Sequence, residues 1–205
     1  MKDSMLFPSR HRSGQRGRAR IEVLGVFGVG KTTLVENLSK RRSIVPLYEQ
    51  YKANAYWGNR SVLDAFGYLG YDLSFLLHHT FLVQSATTIN ESKREIFCDW
   101  SFLTDRVWAR ARLKDDEYRA YSHTHQLMEE LCGKPAAYVH IDLAPEIILQ
   151  RIQRRGRPEE LDVDLAMLKS ASDLIGKELS DVKDIPVHRV SSDDEVDSIL
   201  DSSIF

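Results

Sequence analysis

Residues 20–38 read RIEVLGVFGVGKTTLVENL. Ile21, Val23, Leu24 and Val26 make a short apolar run of the kind that suits a strand buried on both faces. The run leads into Gly25-Val26-Phe27-Gly28-Val29-Gly30-Lys31-Thr32, which satisfies G-x-x-x-x-G-K-[ST] at every fixed position. A helix is expected over 33–41. Strand, glycine loop and helix start, in that order, turn the pattern into a phosphate site. Polyphosphate needs several converging donors, and backbone N–H groups converge only where side chains leave room. Gly25, Gly28 and Gly30 clear that room. The helix that follows points its positive end at the anion. Lys31 adds a full charge for the terminal phosphates. The Thr32 hydroxyl is a ligand for Mg²⁺, with Thr33 as a weaker second.

The 205 residues suffice for one α/β domain with its own core. No stretch approaches the apolar length that spans a bilayer, so no membrane partner is expected. A net charge of −2 argues against general nucleic-acid binding, but the charge is uneven. Lys2, Arg10, Arg12, Arg16, Arg18 and Arg20 face Asp3 alone near the N-terminus. Residues 1–19 are therefore read as a disordered basic arm, a candidate for DNA contact, with the folded domain at 20–205. Cys98 and Cys132 lack metal-ligand spacing. A reduced, cytoplasmic protein is the simplest expectation.

Further along, strands are expected at 43–48, 95–98, 136–143 and 185–190. Helices are expected at 61–69, 71–89, 103–113, 116–131, 145–155, 161–179 and 194–200. Strands alternating with helices imply a three-layer α/β sandwich around a five-stranded parallel sheet. Ligands of such sheets bind beyond the carboxyl ends of the strands. That rule singles out Glu49, past the second strand, and Asp99, past the third. Ser101 suits the cap of the helix after Asp99. His78 and His79 lie in a long apolar helix, where a histidine is more often a core group than a ligand, His79 above all. Arg151, Arg154, Arg155 and Arg157 crowd a helix end closed by Gly156 and Pro158. That cluster suits a lid of guanidinium groups over transferring phosphate.

A phosphate loop alone says only that a nucleotide binds. The guanine-reading N-K-x-D of GTPases is missing, and Asp173-Leu174-Ile175-Gly176 falls inside an expected helix. Two carboxylates beyond strands and an arginine lid suit phosphoryl transfer to an acceptor hydroxyl instead.

These residues resemble the deoxyribonucleoside kinases, within the wider P-loop nucleoside and nucleotide kinase group that includes thymidylate kinase. The resemblance spans roughly residues 20–195. It rests on GVFGVGKTTL, YEQYKANAYW, SFLLHHTFLVQS, CDWSFLTDRVWA and LAPEIILQRIQRRGRPEE. It implies the P-loop NTPase fold with ATP and Mg²⁺ as cofactors. Glu49 would be the general base on the acceptor hydroxyl, and Asp99 with Thr32 would face the metal. Lys31, Arg151, Arg155 and Arg157 would hold the phosphates, and Glu160 would reach the sugar. Trp57, His78, Phe81 and Asp105 would line the acceptor pocket, with Trp100 beside it. The adenine would rest near 191–194, with Asp193 among its contacts. Similar enzymes are commonly homodimers through their long helices.

Departures concentrate on the acceptor side. Trp100 stands where the family has an arginine beside the reacting hydroxyl, and tryptophan offers no charge-assisted bond. His78 stands for a base-reading glutamine, Ser85 for a pocket arginine, and Gln50 for a proline. The acceptor therefore stays open: a deoxynucleoside, a nucleoside monophosphate held by Lys52, Arg60 or Arg106, or a hydroxylated base in DNA. The non-enzymatic alternative is a nucleotide-binding regulator.

Overall fold

The computed structural model describes residues 19–89, 94–160 and 162–201. Five strands, β1 (Arg20–Leu24), β2 (Val45–Leu47), β3 (Ile96–Cys98), β4 (Ala137–Ile141) and β5 (Val187–Val190), form one sheet in the order β2-β3-β1-β4-β5, parallel throughout. Helices α1 (Lys31–Arg41), α2 (Arg60–Ile89), α3 (Phe102–Arg112), α4 (Asp115–Cys132), α5 (Pro145–Arg155), α6 (Leu165–Ser180) and α7 (Asp193–Asp201) complete the alternation. The expected three-layer sandwich is what the chain adopts.

Both faces of the sheet are covered, as parallel sheets require. β1, β3 and β4 are buried at every position. β3 shows the two-residue period at work. Phe97 joins a core with Leu34, Leu38, Ile148, Ile152, Leu168 and Ile175 from α1, α5 and α6. Its neighbours Ile96 and Cys98 join Leu76, Val83, Trp100, Ala109 and Tyr121 from the α2–α4 side.

This strand order positions the site. β3 lies between β2 and β1, with Leu47 opposite Cys98 and Cys98 opposite Glu22. The residues that follow β2, β3 and β1 therefore emerge side by side at one sheet edge.

One boundary differs from expectation. The segments 61–69 and 71–89 form one run, α2, broken at Gly67 (φ 71°, ψ −177°) and not at Gly70. A positive φ there costs glycine little, so the kink falls at Gly67. Arg20 does not belong with the basic arm. It is 5% exposed, donates to Glu22 Oε1 at 2.8 Å, and donates to the carbonyls of Cys132 and Gly133 at the end of α4. A cation there satisfies free carbonyls at the helix terminus. Residues 1–18 of the arm lie outside the described residues. Among the described residues, no helix is long and apolar enough to cross a membrane.

Candidate active site

The glycine loop joins β1 to α1. A Cβ on Gly25 (φ 142°) would sit 2.6 Å from the Ile141 carbonyl oxygen. One on Gly28 (φ 83°) would meet Ile152 Cγ1 at 2.6 Å. Only glycine fits at either point. Val26 and Val29 bury their side chains in the core, leaving backbone to the loop. No side chain caps α1 at Gly30, so its first N–H groups remain available to an anion.

Lys31 folds over the loop, donating to the Gly25 carbonyl at 2.9 Å and the Val26 carbonyl at 3.0 Å. Burial pushes its ammonium below the usual lysine range, and Glu49 and Asp99 pull it back. Thr32 Oγ1 donates to Asp99 Oδ2 at 2.7 Å, and the Glu49 N–H donates to Asp99 Oδ1 at 2.6 Å. Asp99 thus ties the ends of β2 and β3 to the start of α1. Ser101 caps α3, accepting from the Thr104 N–H, which leaves Asp99 for the site. The Thr32 and Asp99 oxygens form the hard donor set that Mg²⁺ takes from a protein when phosphates and water supply the rest.

A cavity of about 740 Å³ opens over the loop. Residues 27–33, Glu49, Asp99, Arg151, Arg154, Arg155, Arg157 and Glu160 line it. Arg151 reaches from α5 to the Val29 carbonyl at 2.9 Å. Glu160, 6% exposed, takes Arg155 at 2.5 Å and Arg157 at 3.5 Å. Arg157 also lies over the Tyr51 ring, 5.0 Å from its centre. Glu160 is therefore the post to which two lid arginines are tied.

A second cavity, about 490 Å³, adjoins the first and shares Phe27, Glu49, Trp57 and Glu160 with it. Its walls are Tyr71, Asp72 and Phe75 of α2, and Asp105, Trp108 and Arg112 of α3. The spacing is helical on both sides: i, i+1 and i+4 on α2, and i, i+3 and i+7 on α3. Two polar rungs cross between the helices. His79 Nδ1 meets Asp105 Oδ2 at 2.7 Å, and Arg112 donates to Asp72. The rungs are seven residues apart on each helix, so α2 and α3 run antiparallel and the rungs stand about 10.5 Å apart. His79 Nε2 faces Glu49 Oε1 at 3.6 Å. Asp72 is 4% exposed, and its Oδ2 has no hydrogen-bond partner among the described residues. Burial pushes the Asp72 carboxyl up to about 6, against the pull of Arg112.

The structure brings Glu49, Lys31, Thr32, Asp99, the lid arginines, Glu160, Trp57 and Asp105 together. It places other expected residues elsewhere. Phe81 is 64% exposed on α2 and lines neither cavity. His78 borders a small separate pocket with Gln50, Asn54 and Ser74. Trp100 is 2% exposed, buried behind His79. The reason is rotational phase. Phe81 is two residues from His79, about 200° around the helix. Asp193 begins α7, but its side chain lies outside the described residues. Asp72, His79 and Arg112 were missed by sequence reasoning. The signal was a polar stripe at seven-residue spacing along apolar α2.

A sequence profile for deoxynucleoside kinases matches residues 21–203. The chain is 28% identical over 183 residues to deoxyadenosine kinase of Dictyostelium discoideum, covering 86% of this chain and 74% of that protein. It is 31% identical over 157 residues to deoxyguanosine kinase of Lactobacillus johnsonii, covering 70% and 67%. The solved structure of deoxyadenosine kinase from M. mycoides with bound dCTP covers 89% of this chain and 97% of its own, with a TM-score of 0.74 at 16% identity. That likeness is one of fold.

Proposed function

The chain belongs to the deoxynucleoside kinase family, and from that premise we propose that it phosphorylates a purine deoxynucleoside with ATP and Mg²⁺. The observation that carries this reading is the pair of cavities meeting at Glu49. One has a phosphate cradle, and the other has aromatic walls and a polar far end. Glu49 takes the proton as the acceptor oxygen attacks the terminal phosphorus, and the bond from that phosphorus to the donor's bridging oxygen breaks. Lys31 and the guanidinium groups of Arg151, Arg155 and Arg157 hold the negative charge in place. Thr32 and Asp99 would hold Mg²⁺, which would neutralise phosphate charge there.

The acceptor cavity favours a nucleoside over a nucleotide. Two of the three candidate cations for an acceptor phosphate are engaged away from it. Arg106 pairs with Glu178 at 2.9 Å, and Lys52 lies over the Tyr51 ring. The Arg60 side chain lies outside the described residues. At the far end, Asp72 accepts from an N–H of the base while Arg112 donates to a neighbouring ring nitrogen or carbonyl. The named relatives act on deoxyadenosine and deoxyguanosine, whose edges carry such neighbouring donors and acceptors. Asp72→Asn should raise KM for the preferred purine about tenfold or more, since a misplaced donor leaves the base edge unpaired. KM for ATP should not change. Steady-state assays over the four deoxynucleosides test this, and preference for thymidine by the wild type would refute it.

The homodimer reading is supported by the outer face of α2 and α4. Leu77, Phe81, Leu127 and Leu131 stand 52%, 64%, 43% and 54% exposed, four residues apart on each helix. Stripes like these on two packed helices suit a second copy. Phe81→Glu with Leu127→Glu should give a species of 23.5 kDa in light scattering, against twice that for the wild type. A monomeric wild type would rule the interface out. The notion of DNA contact rests on the charge of residues 1–19, and Arg20 takes no part in it.

A further inference from the structure

Trp100 removes a cation from beside the reacting hydroxyl, yet the carboxylate that needs one is still there. The structure supplies an imidazole at that place from another element. His79 is fully buried on α2. Its ring lies flat on the Trp100 indole, with centres 3.8 Å apart and planes 6° from parallel. Phe75 closes another side at 6.0 Å. Nδ1 is held by Asp105 Oδ2 at 2.7 Å. Nε2 has no hydrogen-bond partner among the described residues, and Glu49 Oε1 is 3.6 Å away. A buried donor left 3.6 Å from a facing acceptor is costly unless that bond closes in the working state.

We propose that His79 positions Glu49 for transfer, as the middle member of an Asp105–His79–Glu49 chain. It takes over from α2 the work that the family resemblance assigns to an arginine at position 100. This rests on Glu49 being the general base.

Each member has a geometric reason for its place. Asp105 fixes which ring nitrogen points at Glu49, as a carboxylate does for a working histidine. Trp100 fixes the ring plane, a task for which a flat indole is suited. An arginine at position 100 would meet the imidazole where it now stacks, so Trp100 and His79 belong together. Burial disfavours the charged imidazole, but Asp105, through charge and hydrogen bond, and Glu49 outweigh it and hold the ring's pKa above the usual histidine value. The Glu49 carboxylate in turn sits at the junction of both cavities, 36% exposed. Closing the 3.6 Å gap would hold one of its oxygens and leave the other for the acceptor hydroxyl.

His79→Asn and His79→Gln separate this role from mere packing. Asparagine places its amide where Nδ1 was, keeping Asp105 and losing the donor toward Glu49. Glutamine places its amide where Nε2 was. His79→Asn should lower kcat about 10²-fold, the order of loss that misplacing a reacting group brings. KM for ATP and the ATP-induced rise in Tm should be unchanged. His79→Gln should recover about tenfold of that loss by restoring one donor. Equal kcat in both variants, whether near wild type or equally low, would overturn the proposal. So would a loss that tracks Tm. Should His79→Asn fail to fold, His79→Gln alone decides: a lowered kcat with unchanged KM for ATP supports the role, and an unchanged kcat refutes it. Turnover surviving in Glu49→Gln would instead refute the general-base reading itself.

Discussion

Replacing Lys31 by alanine should lower kcat by about 10³-fold or more while the chain still folds. Removing one preorganised donor of transition-state charge typically costs about 10²–10³, and Lys31 contributes a full charge. Its ammonium is already held by the Gly25 and Val26 carbonyls at 2.9 and 3.0 Å. It is therefore already ordered over the loop. The same geometry predicts where the loss will not appear. The close approaches of Gly25 to the Ile141 carbonyl and of Gly28 to Ile152 do not involve Lys31, so the loop loses only the two hydrogen bonds to the Gly25 and Val26 carbonyls. The variant should melt within a few degrees of wild type and still bind acceptor. Single-turnover transfer of labelled phosphate measures the effect directly. A variant within tenfold of wild type would remove Lys31 from the charge clamp.

What the sequence made legible and what it hid follow a physical division. The phosphate loop works through its own backbone, so eight consecutive residues carry the whole argument. Glu49 and Asp99 were visible because strand ends gather at one edge of a parallel sheet. Their mutual arrangement, with Asp99 bridging Thr32 and the Glu49 N–H, needed only the order β2-β3-β1. The acceptor cavity is different. It exists between α2 and α3, and each rung needs one residue from each helix. The resemblance pointed to His78 and Phe81, one residue before and two after His79, and so out of phase with Asp72, Phe75 and His79. One residue is about 100° of rotation, enough to turn a pocket face into a solvent face. A buried aspartate was also hard to credit without its partner, since Arg112 lies forty residues away.

Glu49→Gln should abolish turnover to about 10²–10⁴ below wild type, the range general-base catalysis supplies, with ATP binding intact. The amide keeps the length of the side chain and the backbone N–H that donates to Asp99 at 2.6 Å, so the metal-facing carboxylate stays in place. What disappears is the site for the proton of the acceptor hydroxyl. Burial pushes the Glu49 carboxyl above the usual glutamate range, and His79 draws it back down. Only the ionised carboxylate accepts a proton, so wild-type kcat should fall as the pH drops through that raised value. The residual rate of the variant should lack this acid limb, because an amide has nothing to titrate. Calorimetric titration with a non-hydrolysable ATP analogue, run beside the pH profile, separates the outcomes. Lost nucleotide affinity would mean that Glu49 shapes the donor cavity. A retained acid limb would mean that another group takes the proton. Unchanged affinity with a flat, low profile is what a carboxylate standing at the meeting point of two cavities requires.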